Sequence, residues 1–143
     1  MTRRKPLHSI SLLIFAMSTI VATAAEPSLK EIMQDLRDNL VEITDGLLVD
    51  DFERVARGAA GVAQHAPISA PQAKQIAAAL GPEMPAFKQF DEQVHALSLA
   101  IASAASDQDR DAVIVNYRRM VDGCVACHAA FKERVAAVLS KSP

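Results

Sequence analysis

"DRDAVIVNYRRMVDGCVACHAAFKERVAAVL", residues 109–139, decides how this chain is read. Val113, Tyr117, Val121, Cys124, Cys127/His128, Phe131, Val135 and Val138 return at three- and four-residue steps. That period predicts one long amphipathic helix from about Asp109 to Leu139, with those residues on its inner face. The turn "SDQD" just before it offers a choice of N-caps.

Cys124 and Cys127 are the only cysteines, and His128 follows the second directly. At 100° per residue the three side chains fall within an arc of about 100°, on the face that carries Val121 and Phe131. A flat ligand lying on that face would take two covalent bonds and one axial bond, and the motif reads as c-type haem attachment. Other readings meet specific difficulties. A thioredoxin-like CxxC needs a helix that starts at the motif, whereas this one begins well upstream. A zinc site needs a fourth ligand, for which only His65 and His95 are on offer. A structural disulfide over two intervening residues closes almost no loop and stabilises little. A five-residue match can also arise by chance, but chance does not predict the rest of the chain.

Working outward, three further long helical patterns precede this one. Leu29, Ile32, Met33, Leu36, Leu40, Ile43 and Leu47 mark the first, with Ser28 as N-cap and Glu31 completing a capping box. Phe52, Val55, Ala59, Val62 and Ala63 mark the second, whose narrow, alanine-rich face lets a neighbouring backbone come close. "PQAKQIAAALG" is expected to be a short connecting helix with Gly81 near its C-cap. After "PEMP", Phe87, Phe90, Val94, Leu97 and Ile101 mark the third long helix. No window alternates with period two. The prediction is an all-α, antiparallel four-helix bundle with a long connection between helices 2 and 3.

Composition agrees. The 143 residues suit a single domain, half of them are apolar, and aromatics are few: five Phe, one Tyr and no Trp. Residues 1–25 read as a cleavable secretory signal, with "MTRRKPLH" as a basic start and "SISLLIFAMSTIVA" as an apolar run too short to span a bilayer comfortably. Cleavage is expected near Ala24–Glu26, leaving 26–143 as a haem-binding domain in the periplasm with no stable membrane anchor. Losing Arg3, Arg4 and Lys5 moves the formal net charge from −2 to −5. No basic stripe remains, which excludes nucleic acid as a partner.

A C-terminal CxxCH on the last helix of an exported four-helix chain resembles the cytochrome c′ family, the class II c-type cytochromes. "GCVACHAAFKERV" carries the resemblance, with an aromatic, Phe131, three residues after the histidine and Lys132 following it. The resemblance implies one haem c, thioethers at Cys124 and Cys127, and His128 as proximal iron ligand. In "LKEIMQDLRDNL", Met33 stands where the methionine-ligated, low-spin branch has its distal ligand. A seam methionine with Leu29, Leu36 and Leu40 is also an ordinary core residue, whereas Met120 shares a helix with His128 and Met84 sits between prolines. The expected function is a non-enzymatic, one-electron carrier with transient redox-protein donor and acceptor. The alternatives are a five-coordinate protein binding NO or CO, and a haem-free thiol module. Val41 and Leu48 form an outward apolar strip suited to a homodimer.

Overall fold

Ser28 and Glu31 close the first helix as expected. The Ser28 hydroxyl accepts from the Glu31 backbone N–H at 3.3 Å, and the Glu31 carboxylate accepts from the Ser28 N–H at 2.7 Å. Two donors that a helix start leaves without partners are thereby satisfied. The computed structural model describes residues 26–140, so the expected leader over 1–25 lies outside the described residues.

Helix α1 spans Leu29–Leu48, α2 Phe52–Ala63, α3 Ala70–Leu80, α4 Met84–Ser106 and α5 Arg110–Leu139. Asp51 caps α2 by accepting from the Arg54 N–H at 2.9 Å, and Asp109 caps α5 by accepting from the Ala112 N–H at 3.0 Å. Gly81 ends α3 at φ +51°, a left-handed conformation in which a side chain would be strained. One 3₁₀ turn, Gly81–Glu83, leads into α4. That helix starts three residues earlier than the Phe87 period suggests, because Pro85 falls in its first turn, where a missing N–H costs nothing.

Packing runs α1 to α2, α2 to α4 and α4 to α5. Short turns at Val49–Asp51 and Asp107–Asp109 make the linked pairs antiparallel. This is the expected all-α, antiparallel four-helix bundle, with α3 lying on α5 inside the long connection. Ile43, Val55, Ile101, Val113 and Met120 are fully buried at its centre, each worth about 1.5–3 kcal/mol in transfer alone. A second cluster at one end joins Leu29, Ile76, Leu80, Phe131 and Val135. Phe87 and Phe90 meet Phe131 edge-on there, with ring centroids 5.6 and 6.1 Å apart.

The α1–α2 approach is close because Gly58 has no side chain. A Cβ there would lie 2.8 Å from the Asn39 carbonyl oxygen and 2.9 Å from Ile43. The expected inner face of α5 needs one correction. Met120 and Gly123 are buried, Val121 and Val138 only partly so, and His128 is exposed. Two partners divide the face: the Val113–Met120–Phe131 line packs into the bundle, and the strip about 60° round from it turns toward α1.

Candidate haem-binding site

Three features fix the register of α1 against α5. Asp50, just past α1, pairs with Arg110 at the start of α5. Thr44 Oγ1 and Tyr117 Oη lie 2.6 Å apart. Leu29 joins the cluster of Phe131 and Val135. As the α1 number falls the α5 number rises, so the two helices run antiparallel along a shared seam.

Met33 is eleven residues before Thr44, and His128 is eleven residues after Tyr117. Eleven residues rise about 16 Å and turn three full circles plus about 20°. Met33 therefore keeps the bearing of Thr44, and His128 keeps that of Tyr117. Since Thr44 and Tyr117 touch, the methionine and the histidine face each other at one level, and Met33 stands near His128. Cys124 lies one turn from His128, with Cys127 beside it.

The seam is built to hold something flat. The sequential long helices pack closely, whereas α1 and α5, the first and the last, approach each other directly at few points. Met33 is 39 % exposed on an otherwise apolar stripe, both thiols are half-buried, and Leu36 and Leu40 are only partly covered. An apolar strip without a partner, two thiols and an imidazole on one side, and a thioether on the other fit a covalent haem. Two open clefts of about 430 and 300 Å³ lie away from the motif. The site is a seam between helices, not a closed cavity.

Burial pushes both cysteine thiols above their ordinary value, and at Cys127 the neighbouring Cys124 and Asp91 add to it. Such sulfurs stay protonated at neutral pH. A redox dithiol needs the opposite shift, from a helix N-terminus or a nearby cation, and neither is at hand in mid-helix. The dithiol reading therefore fails on electrostatics as well as on placement.

Neither remaining candidate histidine reaches the motif. His65 places Nδ1 2.9 Å from the Ala66 carbonyl and Nε2 3.3 Å from Asp91 Oδ1. His95 places Nδ1 3.1 Å from the Ala63 carbonyl. Among the described residues no group of three or more His, Cys, Asp or Glu could hold a metal ion, so the zinc reading has no fourth ligand. Met120 is wholly buried in the core and Met84 packs into the second cluster. Arg37 bonds to Asp38 at 2.6 Å on the surface, and Lys132 is exposed.

Two contributors escaped the sequence reading. Thr44 was not marked as a seam residue, although its eleven-residue offset from Met33 carries that signal. Asp91 comes near Cys127 from α4, a proximity that no local pattern encodes.

No family model matches the chain, and neither does any curated protein or solved structure. The expected place in the cytochrome c′ family is overturned. His128 with Met33 beside it is the ligand pair of class I c-type cytochromes, not the five-coordinate, histidine-only iron of the cytochrome c′ family. The resemblance points to the methionine-ligated branch of that family; its Met33 ligand stands, whereas the family placement, drawn from helix count and a C-terminal motif, does not. Cys124, Cys127, His128 and Met33 make one covalent haem c site. The chain is a His/Met-ligated, haem-bound electron carrier, and the five-coordinate NO- or CO-binding alternative is not supported.

Proposed function

We propose that this cytochrome works in the periplasm after removal of residues 1–25, passing single electrons between transient redox partners without catalysing a reaction of its own. The carrying observation is Met33 facing His128 across a seam whose α5 side also bears Cys124 and Cys127. Support for the location comes from the basic and apolar leader. Among the described residues no helix is long and apolar enough to cross a membrane.

Each residue has an assigned task. Cys124 and Cys127 would hold the haem through thioethers, so that it is not lost to dilution outside the cytoplasm. His128 and Met33 would be its iron ligands. When bound, the haem supplies a one-electron ferric/ferrous couple. A methionine thioether raises that potential relative to more basic ligand pairs. Leu36, Leu40 and the phenylalanines around Phe131 exclude water from the seam, and a low dielectric disfavours the more highly charged oxidised form.

The mature chain's formal charge of −5 suits donors and acceptors with basic patches. Val41, 50 % exposed, and Leu48, 78 % exposed, leave an apolar strip on α1 for a second copy in a homodimer. The test is expression with and without residues 1–25 in a host that matures c-type cytochromes. The full chain should give a red periplasmic protein that is reduced and reoxidised by one electron. Haem attached only in the cytoplasm, or steady turnover of a substrate, would contradict the proposal.

A further inference from the structure

Between α1 and α5 the hydrogen bond between the Thr44 and Tyr117 hydroxyls joins the two walls of the seam within the bundle. The Tyr117 hydroxyl also lies 3.5 Å from the Leu40 carbonyl, and Thr44 Oγ1 lies 2.9 Å from that same oxygen. Both hydroxyls thus converge on one backbone acceptor of α1. Both side chains are partly buried, in a stretch where the helices otherwise touch little. The latch sets how far α1 stands from α5 and their relative rotation, because it lies three turns from both Met33 and His128 on nearly their bearings.

We infer that Thr44 and Tyr117 are positioning residues for the distal ligand: their hydrogen bond holds α1 at the spacing and rotation that keep the Met33 sulfur on the iron. The inference rests on the His/Met reading above. Neither residue touches the iron. With the latch lost, α1 remains packed on α2 through Gly58 and Val55, but its wall of the seam is free to shift outward. The Met33 sulfur then leaves the iron more often, and a competing ligand enters.

The experiment uses holoprotein and carbon monoxide as probe of the ferrous sixth position, in wild type, Tyr117→Phe, Thr44→Val and the double variant. Both single substitutions keep the apolar bulk and delete one hydroxyl. Ile101→Val serves as a control, since it loosens the core from α4 and leaves the latch intact. The expected result is carbon monoxide binding about 2- to 10-fold faster in both single variants, the range one neutral hydrogen bond supplies. The double variant should be no faster than the faster single one, and the control should match wild type even where its thermal midpoint falls.

Unchanged rates in the latch variants, or an equal increase in the control, would overturn the inference. Met33→Ala separates this from failure of the underlying reading. If wild type already binds carbon monoxide as fast as Met33→Ala, the His/Met assignment fails. If Met33→Ala alone is fast, only the latch fails.

Discussion

Thr44 Oγ1 lies 2.6 Å from the Tyr117 hydroxyl, and this contact between the first and last helices is the ruler for the whole site. Counting eleven residues away from it along each helix arrives at Met33 and at His128, on matching bearings. Neither residue needs a special loop or a strained backbone to reach its place. Two helices in antiparallel register bring a thioether and an imidazole to face each other.

Met33 and Met120 should respond oppositely to truncation. Met120 is wholly buried, and Met120→Ala should cost about 2–5 kcal/mol of stability while leaving the iron closed to carbon monoxide. Met33 is 39 % exposed in the haem-free seam, and Met33→Ala should open the iron while lowering apoprotein stability far less. Urea unfolding of both apoproteins, with carbon monoxide titration of both holoproteins, checks the pair.

Covalent attachment predicts a graded response at the cysteines. Cys124→Ser and Cys127→Ser should each keep haem on the chain through the remaining thioether, whereas the double variant should release all of it under denaturing conditions. Haem staining on a denaturing gel, with intact mass, reads the result directly. Haem retained by the double variant would contradict the assignment.

Much of this was legible in the sequence because helices repeat every 3.6 residues. The capping box at Ser28–Glu31, the choice of N-caps in "SDQD", of which Asp109 is the one used, and the Gly81 stop are all local signals, and each is realised. What stayed hidden depends on which helix faces which. The burial of Met120 in place of Val121 follows from α5 dividing its face between the bundle and the seam. The early start of α4 follows from a proline that reads as a loop but sits harmlessly in a first turn. The family resemblance misled on the family and not on the ligands: motif position and helix count describe a scaffold that unrelated chains can share, while His128 and Met33 were both marked from the sequence.

At Gly58 a single added carbon should be felt. An alanine Cβ would lie 2.8 Å from the Asn39 carbonyl oxygen, and backbone cannot step aside as a flexible side chain can. Gly58→Ala should destabilise by about 1–3 kcal/mol and lower the thermal midpoint by several degrees. Calorimetry that shows no change would mean the α1–α2 approach is looser than described.

Glu31 closes the start of α1, Glu42 ties α1 to α2 and Glu83 ties the turn before α4 to α5, and all three are held below the ordinary glutamate value of 4.5. Hydrogen bonds from Ser28 lower Glu31, one from Arg54 lowers Glu42, and one from Arg134 lowers Glu83. Each carboxylate binds its proton less readily folded than unfolded, so each contributes stability that is present above the unfolded value. That contribution fades as pH falls through the lower folded value. Stability should hold from neutrality down to about pH 5 and then decline, with Glu42→Gln and Glu83→Gln each flattening part of the acid limb. Chemical denaturation across pH 3–7 checks this, and an unchanged acid limb in both variants would remove these pairs from the account.

The most direct measurement is the visible spectrum of the matured holoprotein, oxidised and reduced, with and without carbon monoxide. His128 and Met33 on opposite sides of one covalent haem predict a sharp, split reduced spectrum that the gas leaves essentially unchanged, and its conversion to an open, gas-binding form in Met33→Ala. A broad high-spin spectrum in wild type that shifts at once on adding carbon monoxide would contradict it.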